Sequence, residues 1–219
     1  MASHMKADTP AAERTILVRQ AFRLEGFTIA WMTIEAAAAI AAGVVAQSLL
    51  LLAFGIDSVI ELASACVLLW RLSVELRDGG TFPEEVERRA GRIAGGLLFA
   101  LAVYVTAAAG WGLWQRHTAE FSLPGLVIAA AAIPVMYFLS KRKLAIAEKL
   151  GSRALRADAF EGIACGWLSF TVAIGLIAQL ALQIWWVDSV ASLAVVYFLV
   201  KEGREAWEDE SCDDACEER

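Results

Sequence analysis

The chain has 219 residues, 58% of them hydrophobic and 20% charged, with two histidines and a formal net charge of −6. A mean hydropathy of +0.56 and repeated apolar runs exclude an ordinary soluble domain, which is nearer half apolar and lacks such runs. The chain therefore reads as an all-α, polytopic membrane protein, with the lipid bilayer as its surroundings and no nucleic-acid partner. Four cysteines in such a chain give no disulfide framework.

Met1-Ala2-Ser3-His4-Met5 reads as a cloning remnant, and residues 1–22 as an N-terminal cytoplasmic segment. Asp8, Glu13, Arg14, Arg19 and Arg23 break up any early apolar run, so no cleavable signal peptide is expected. The first membrane span is expected from Leu24 to Ala46, with Glu25 at its edge and Glu35 deep inside. Its small residues, Ala36 to Ala39 and Ala41 to Gly43, permit close helix contact. A tight turn at Gln47-Ser48 leads to the second span, Leu49 to Trp70. A charged loop, Arg71 to Arg92, precedes the third span, Ile93 to Trp114, which has no acid or base. The fourth span, Leu123 to Leu139, holds Pro134, a kink position. Ser140 to Arg156 form a basic connection with helical character. The fifth span covers Ala157 to Leu182 and the sixth Ile184 to Val200. The organisation is a transmembrane domain over 23–202 and an acidic cytoplasmic tail over 203–219.

Six spans place both termini on one side. Every Lys and Arg except Arg116 falls on the segments that share that side, so both termini are expected in the cytoplasm. Trp111, Trp114, Trp185 and Trp186 fall at the opposite interface, as an aromatic belt does.

The chemistry-bearing stretch is Ala53 to Glu61. Asp57 and Glu61 stand four residues apart inside an apolar run. A carboxylate at mid-membrane costs about 2.5–3.5 kcal/mol on insertion scales, so two on one helix need a reason. Four residues is about one helical turn, which puts both on nearly the same face. The fifth span repeats this spacing with Glu161 and Cys165, and Asp158 lies one turn lower, at its cytoplasmic approach. Three carboxylates and a thiol between two helices make a four-coordinate divalent-metal site.

These residues carry a resemblance. Asp57-x-x-x-Glu61, Ala157-Asp158-Ala159 ahead of Glu161 and Cys165, Trp185-Trp186-Val187-Asp188-Ser189, and Arg204-Glu205-Ala206-Trp207 follow in the order found in the cation diffusion facilitators. The resemblance covers about residues 22–207. It implies six spans with both termini inside and a metal site between spans two and five. Asp57, Glu61, Glu161 and Cys165 then fall at the ligand positions. It further implies export of a transition-metal ion from the cytoplasm, exchange for protons, a homodimer, and placement in a bacterial inner membrane. The family's usual cytoplasmic C-terminal domain is not expected here, which makes this a short form joined through its membrane helices. Gly95, Gly96 and Ala100 offer a small-residue face for that contact. Two departures stand out. No histidine occupies the site, and Cys165 stands where the family usually has an aspartate.

Alternatives stay open at several positions. A rival register puts Asp158, rather than Cys165, at the last ligand position, with Ala154 four residues earlier. Asp158 otherwise lies at the entrance or behind the ligands, and Glu35 bonds a neighbouring helix, touches the metal or relays protons. A thiolate favours zinc over magnesium or calcium. Iron, manganese, cobalt and cadmium remain open, and no cofactor is expected beyond the transported ion. Asp188 is expected to cap the sixth span. Cys66 reads as packing and His117 as a loop residue. Cys212 and Cys216 either collect metal on the tail or belong to a solvated acidic end. The rival functions are a membrane metal sensor or scaffold without transport, an intramembrane aspartyl protease and a proton channel. The protease would need paired aspartates, which this chain does not offer.

Overall fold

The computed structural model describes residues 11–78, 84–115, 119–182 and 184–217. They form six helices: α1 (Ala11–Ala46), α2 (Leu49–Asp78), α3 (Glu84–Gln115), α4 (Leu123–Leu150), α5 (Arg153–Leu182) and α6 (Val187–Glu217). Five of them are long and apolar enough to cross a membrane. In α6 the apolar stretch ends at Lys201, and the acidic C-terminal residues continue the same helix to Glu217.

Hydropathy locates a span and says little about where its helix stops. The expected loop from Arg71 to Arg92 is mostly helix, because α2 runs on to Asp78 and α3 starts at Glu84. The basic connection after the fourth span belongs to α4 until Leu150. Gly151, at φ 64°, ends α4 in a left-handed cap that donates to the Ala147 carbonyl. Ser152 then opens α5, its hydroxyl accepting from the Leu155 amide at 3.3 Å. The expected tail over 203–219 lies on α6 as far as Glu217, so Cys212 and Cys216 stand on a helix, their side chains outside the described part. His117 also lies outside the described residues.

Helices α1, α2, α4 and α5 each touch two others of the same set and close a four-helix ring. The α3–α6 pair flanks it, against α2 and α5. Gly55 lets α1 and α2 approach closely: a Cβ there would lie 2.9 Å from the Ile40 backbone nitrogen. Phe54, Leu50, Leu168, Val172, Leu176 and Leu199 fill an apolar core between α2, α5 and α6. Outward-facing positions are also apolar, including Val45, Val103, Trp111 and Trp114, the last 86% exposed. Charged and polar side chains such as Glu25, Glu35, Asp57, Glu61, Ser58 and Lys143 are buried instead. A soluble bundle is arranged the other way round, so this surface is one made for lipid.

Near the Gln47-Ser48 turn, Asp188 lies in the first turn of α6, as expected, and also reaches a second helix. Its carboxylate accepts from the Ser48 hydroxyl and, at 2.9 Å, from the Leu49 amide, so it caps α2 from α6. Cys66 is exposed rather than packed inside. Gly96 and Ala100 are exposed on α3.

Candidate functional site

The four-helix ring places its polar side chains in levels about one helical turn apart. Along α1 they are Glu25, Thr28 and Glu35; along α2, which runs the other way, Glu61 and then Ser58 and Asp57. On α4 they are Lys143 and Ser140, and on α5 Asp158, Glu161 and Cys165. Apart from Ser58, which adjoins Asp57, successive members are three to seven residues apart, so each set lies along one side of its helix.

The outermost level is an ion-pair cluster. Lys143 is 3% exposed. Its ammonium lies 2.6 Å from Asp158 Oδ2 and 2.9 Å from Glu25 Oε2, tying α4 to α5 and α1. Lys141 and Arg142 beside it are exposed. A step of about 100° per residue is what turns only one of three successive basic residues inward.

The middle level holds Glu61, buried, and Glu161, half-buried. Both line a pocket of about 10 Å³ together with Thr28, Ser140, Lys143 and Asp158. That is room for about one water-sized sphere. Gly162 lets α4 lie close here, since a Cβ on it would run into the Ser140 hydroxyl.

Glu35, Asp57, Ser58 and Cys165 form the innermost level, all of them fully buried. Glu35 accepts from Trp31 Nε1 at 2.7 Å, from the Ser58 hydroxyl at 2.9 Å and from the Cys165 thiol at 3.8 Å. It thus joins α1 to α2 and, across the ring, to α5. The charged neighbours of Cys165 are Glu61, Glu35 and Asp57. Asp57 differs from the rest: neither carboxylate oxygen has a hydrogen-bond partner among the described residues. A buried carboxylate without a partner is costly, and a cation is what offsets that cost.

Asp57, Glu61, Glu161 and Cys165 therefore all reach one acid-lined interior. Among the described residues, however, no three His, Cys, Asp or Glu side chains are already grouped as a metal site. Coordination would require these side chains to draw together between α2 and α5. Asp158 is engaged by Lys143 at the outer level, and Glu35 backs the inner one. Sequence reasoning missed Lys143 and the depth of Glu25. Both sit where a hydropathy profile places the membrane edge, and charges there attract no notice.

An apolar exterior around an acid-lined interior defines an integral, multi-pass membrane protein built to handle a cation. Residues 27–209 match the cation efflux transmembrane domain, and the chain belongs to that family. It is a metal cation transporter, with a divalent cation as its substrate. No curated protein matches the chain.

Proposed function

We propose that this protein exports a divalent transition-metal ion, zinc by preference, from the cytoplasm in exchange for protons. The observation that carries the reading is Asp57, fully buried with both oxygens unpartnered among the described residues and with Glu35 and Glu161 in electrostatic reach. Asp57, Glu61, Glu161 and Cys165 are the proposed ligands, with Glu35 orienting Cys165 and Asp158 lying on the approach.

Ligands must be deprotonated to hold a metal, so metal and protons compete for the same side chains. Competition on both membrane faces gives antiport, and an inward proton gradient then drives the metal out. Alternating access requires helix groups to rock about a site within the membrane. The Cys165 sulfur favours zinc over magnesium or calcium. The Lys and Arg distribution supports cytoplasmic termini, with the Lys143 level facing the cytoplasm. We place the protein in a bacterial inner membrane, as a homodimer joined through its membrane helices. The exposed Gly96 and Ala100 on α3 offer a face for that contact. Cys212 and Cys216 would collect metal on the cytoplasmic side.

The test is metal flux into proteoliposomes under an imposed pH gradient, with zinc, manganese, iron(II) and cobalt compared. Saturable, gradient-dependent zinc flux that disappears in Asp57→Ala is the expected result. A Cys165→Ser protein should shift preference away from zinc. Tight metal binding with no flux would overturn the transport reading and favour a sensor.

A further inference from the structure

The Lys143 cluster is unexplained by a metal site between α2 and α5. Lys143 is the one basic side chain among the buried residues described. Its ammonium contacts carboxylates from two other helices, Glu25 of α1 and Asp158 of α5. Glu25 is itself fully buried, and its Oε1 has no hydrogen-bond partner among the described residues. The cluster is also continuous with the proposed metal path: Lys143 and Asp158 line the same pocket as Glu61 and Glu161. An ion arriving from the α4–α5 turn meets this level before it meets Glu61.

With both acids ionised, two carboxylates against one ammonium leave one negative charge uncompensated. A divalent ion would neutralise the pair fully, so exchanging ammonium for metal is favoured electrostatically. The chemistry of the side chain fits such an exchange. Lysine presents a compact point charge on a flexible four-carbon stem, with no fixed fork to hold two carboxylates in register. An arginine would grip the same pair bidentately and resist displacement.

We propose that Lys143 is a tethered cation that occupies the Glu25–Asp158 pair until an incoming divalent metal ion displaces it. Glu25 and Asp158 are then a loading station ahead of the deeper ligands, and Lys143 sets the apparent affinity for the ion. This rests on the transport reading above but makes its own demand. A binding position that is open only part of the time shows an affinity reduced by that fraction. Removing the tethered competitor should therefore tighten binding, and replacing it with a stronger one should weaken it.

The experiment uses the full chain with zinc alone as the probe. It compares wild type, Lys143→Met, Lys143→Arg and the double variant Glu25→Gln/Lys143→Met. The double variant keeps the net charge of the level unchanged and avoids leaving two acids facing each other. Zinc affinity is measured by equilibrium titration in detergent, and the KM and kcat of flux in proteoliposomes. The expected order is a KM and Kd lower by roughly tenfold in Lys143→Met, higher in Lys143→Arg, and higher in the double variant than in Lys143→Met because one loading carboxylate is gone, with kcat moving less than KM. If Lys143→Met does not fold, Lys143→Arg, which leaves both carboxylates in place, decides the matter. Should Lys143 only bind the helices together, thermal stability would fall while KM and Kd stay level across the series, and the proposal is overturned. A flat series in a protein that transports zinc sinks this inference alone. The expected order of Kd in a protein that carries no zinc sinks the transport reading instead.

Discussion

Glu25 and Asp158 share the ammonium of Lys143, whereas Asp57, at the innermost level, has no hydrogen-bond partner among the described residues. Both are acids buried in the interior of one helix ring. The outer pair has its counter-charge supplied by the chain. Asp57 has the acids Glu35 and Glu161 and the Cys165 thiol within electrostatic reach. A structural acid inside a membrane protein is expected to look like the first case. The second pattern suits the position where a mobile cation is held most tightly, since a built-in counter-ion competes with the cargo, as Lys143 would at the outer pair.

Four substitutions probe that contrast, in descending order of expected effect. Lys143→Met leaves Glu25 and Asp158 facing each other without a cation. Breaking a buried pair this way costs about 3–5 kcal/mol, seen as a lower denaturation midpoint in detergent, and adding Glu25→Gln should restore part of the loss. An unchanged midpoint would mean that the outer acids are not held by Lys143. Asp57→Asn should act in the opposite sense on the apo protein, leaving its stability unchanged or raised. It should instead abolish stabilisation by metal, which for the wild type amounts to about 2.7 kcal/mol at a hundredfold excess of metal over Kd. Retention of the metal-induced shift in Asp57→Asn would show that this residue is not a ligand.

Gly55→Ala tests the geometry that presents Asp57, two residues further along α2. The new methyl would lie 2.6 Å from Ile40 Cγ1 and 2.9 Å from the Ile40 nitrogen, so α1 and α2 must separate. Overpacking of this kind costs about 1–3 kcal/mol, and metal affinity should fall with it. Asp188→Ala removes the α2 cap at the opposite end of the bundle and should cost about 0.5–2 kcal/mol in a thermal melt. Because it lies away from the acid ladder, the KM for metal should stay at its wild-type value. A changed KM would mean that the two ends of the bundle are coupled.

The deep acids were legible in the sequence because a carboxylate amid apolar residues is conspicuous whatever the fold. Asp57, Glu61, Glu161 and Cys165 declare themselves by depth and by repeated four-residue spacing. Glu35 was open to several readings, and the structure adds its bonds to Trp31, Ser58 and Cys165. Lys143 was hidden in a basic run, Lys141-Arg142-Lys143, where only the packed helix decides which one faces inward. Asp188 was read in part for a related reason: local rules place a carboxylate at a helix start on its own helix, and only the tertiary contact reveals that it also serves α2. Helix ends were the other loss. Charged residues stop a span without stopping a helix, so α2 and α4 both outrun their apolar segments.

Pro134 lies within α4 and nine residues before Lys143. Its ring has no N–H to offer the Ala130 carbonyl, so the helix is least constrained there. Nine residues of helix make a lever arm of about 13 Å, and a bend of about 10° at its base would sweep the far end through roughly 2 Å. The ammonium sits 2.6 Å from Asp158 and 2.9 Å from Glu25. A small flex at one proline is thus geometrically matched to the stroke that unclasps Lys143 from both acids, with no rearrangement of α1 or α5.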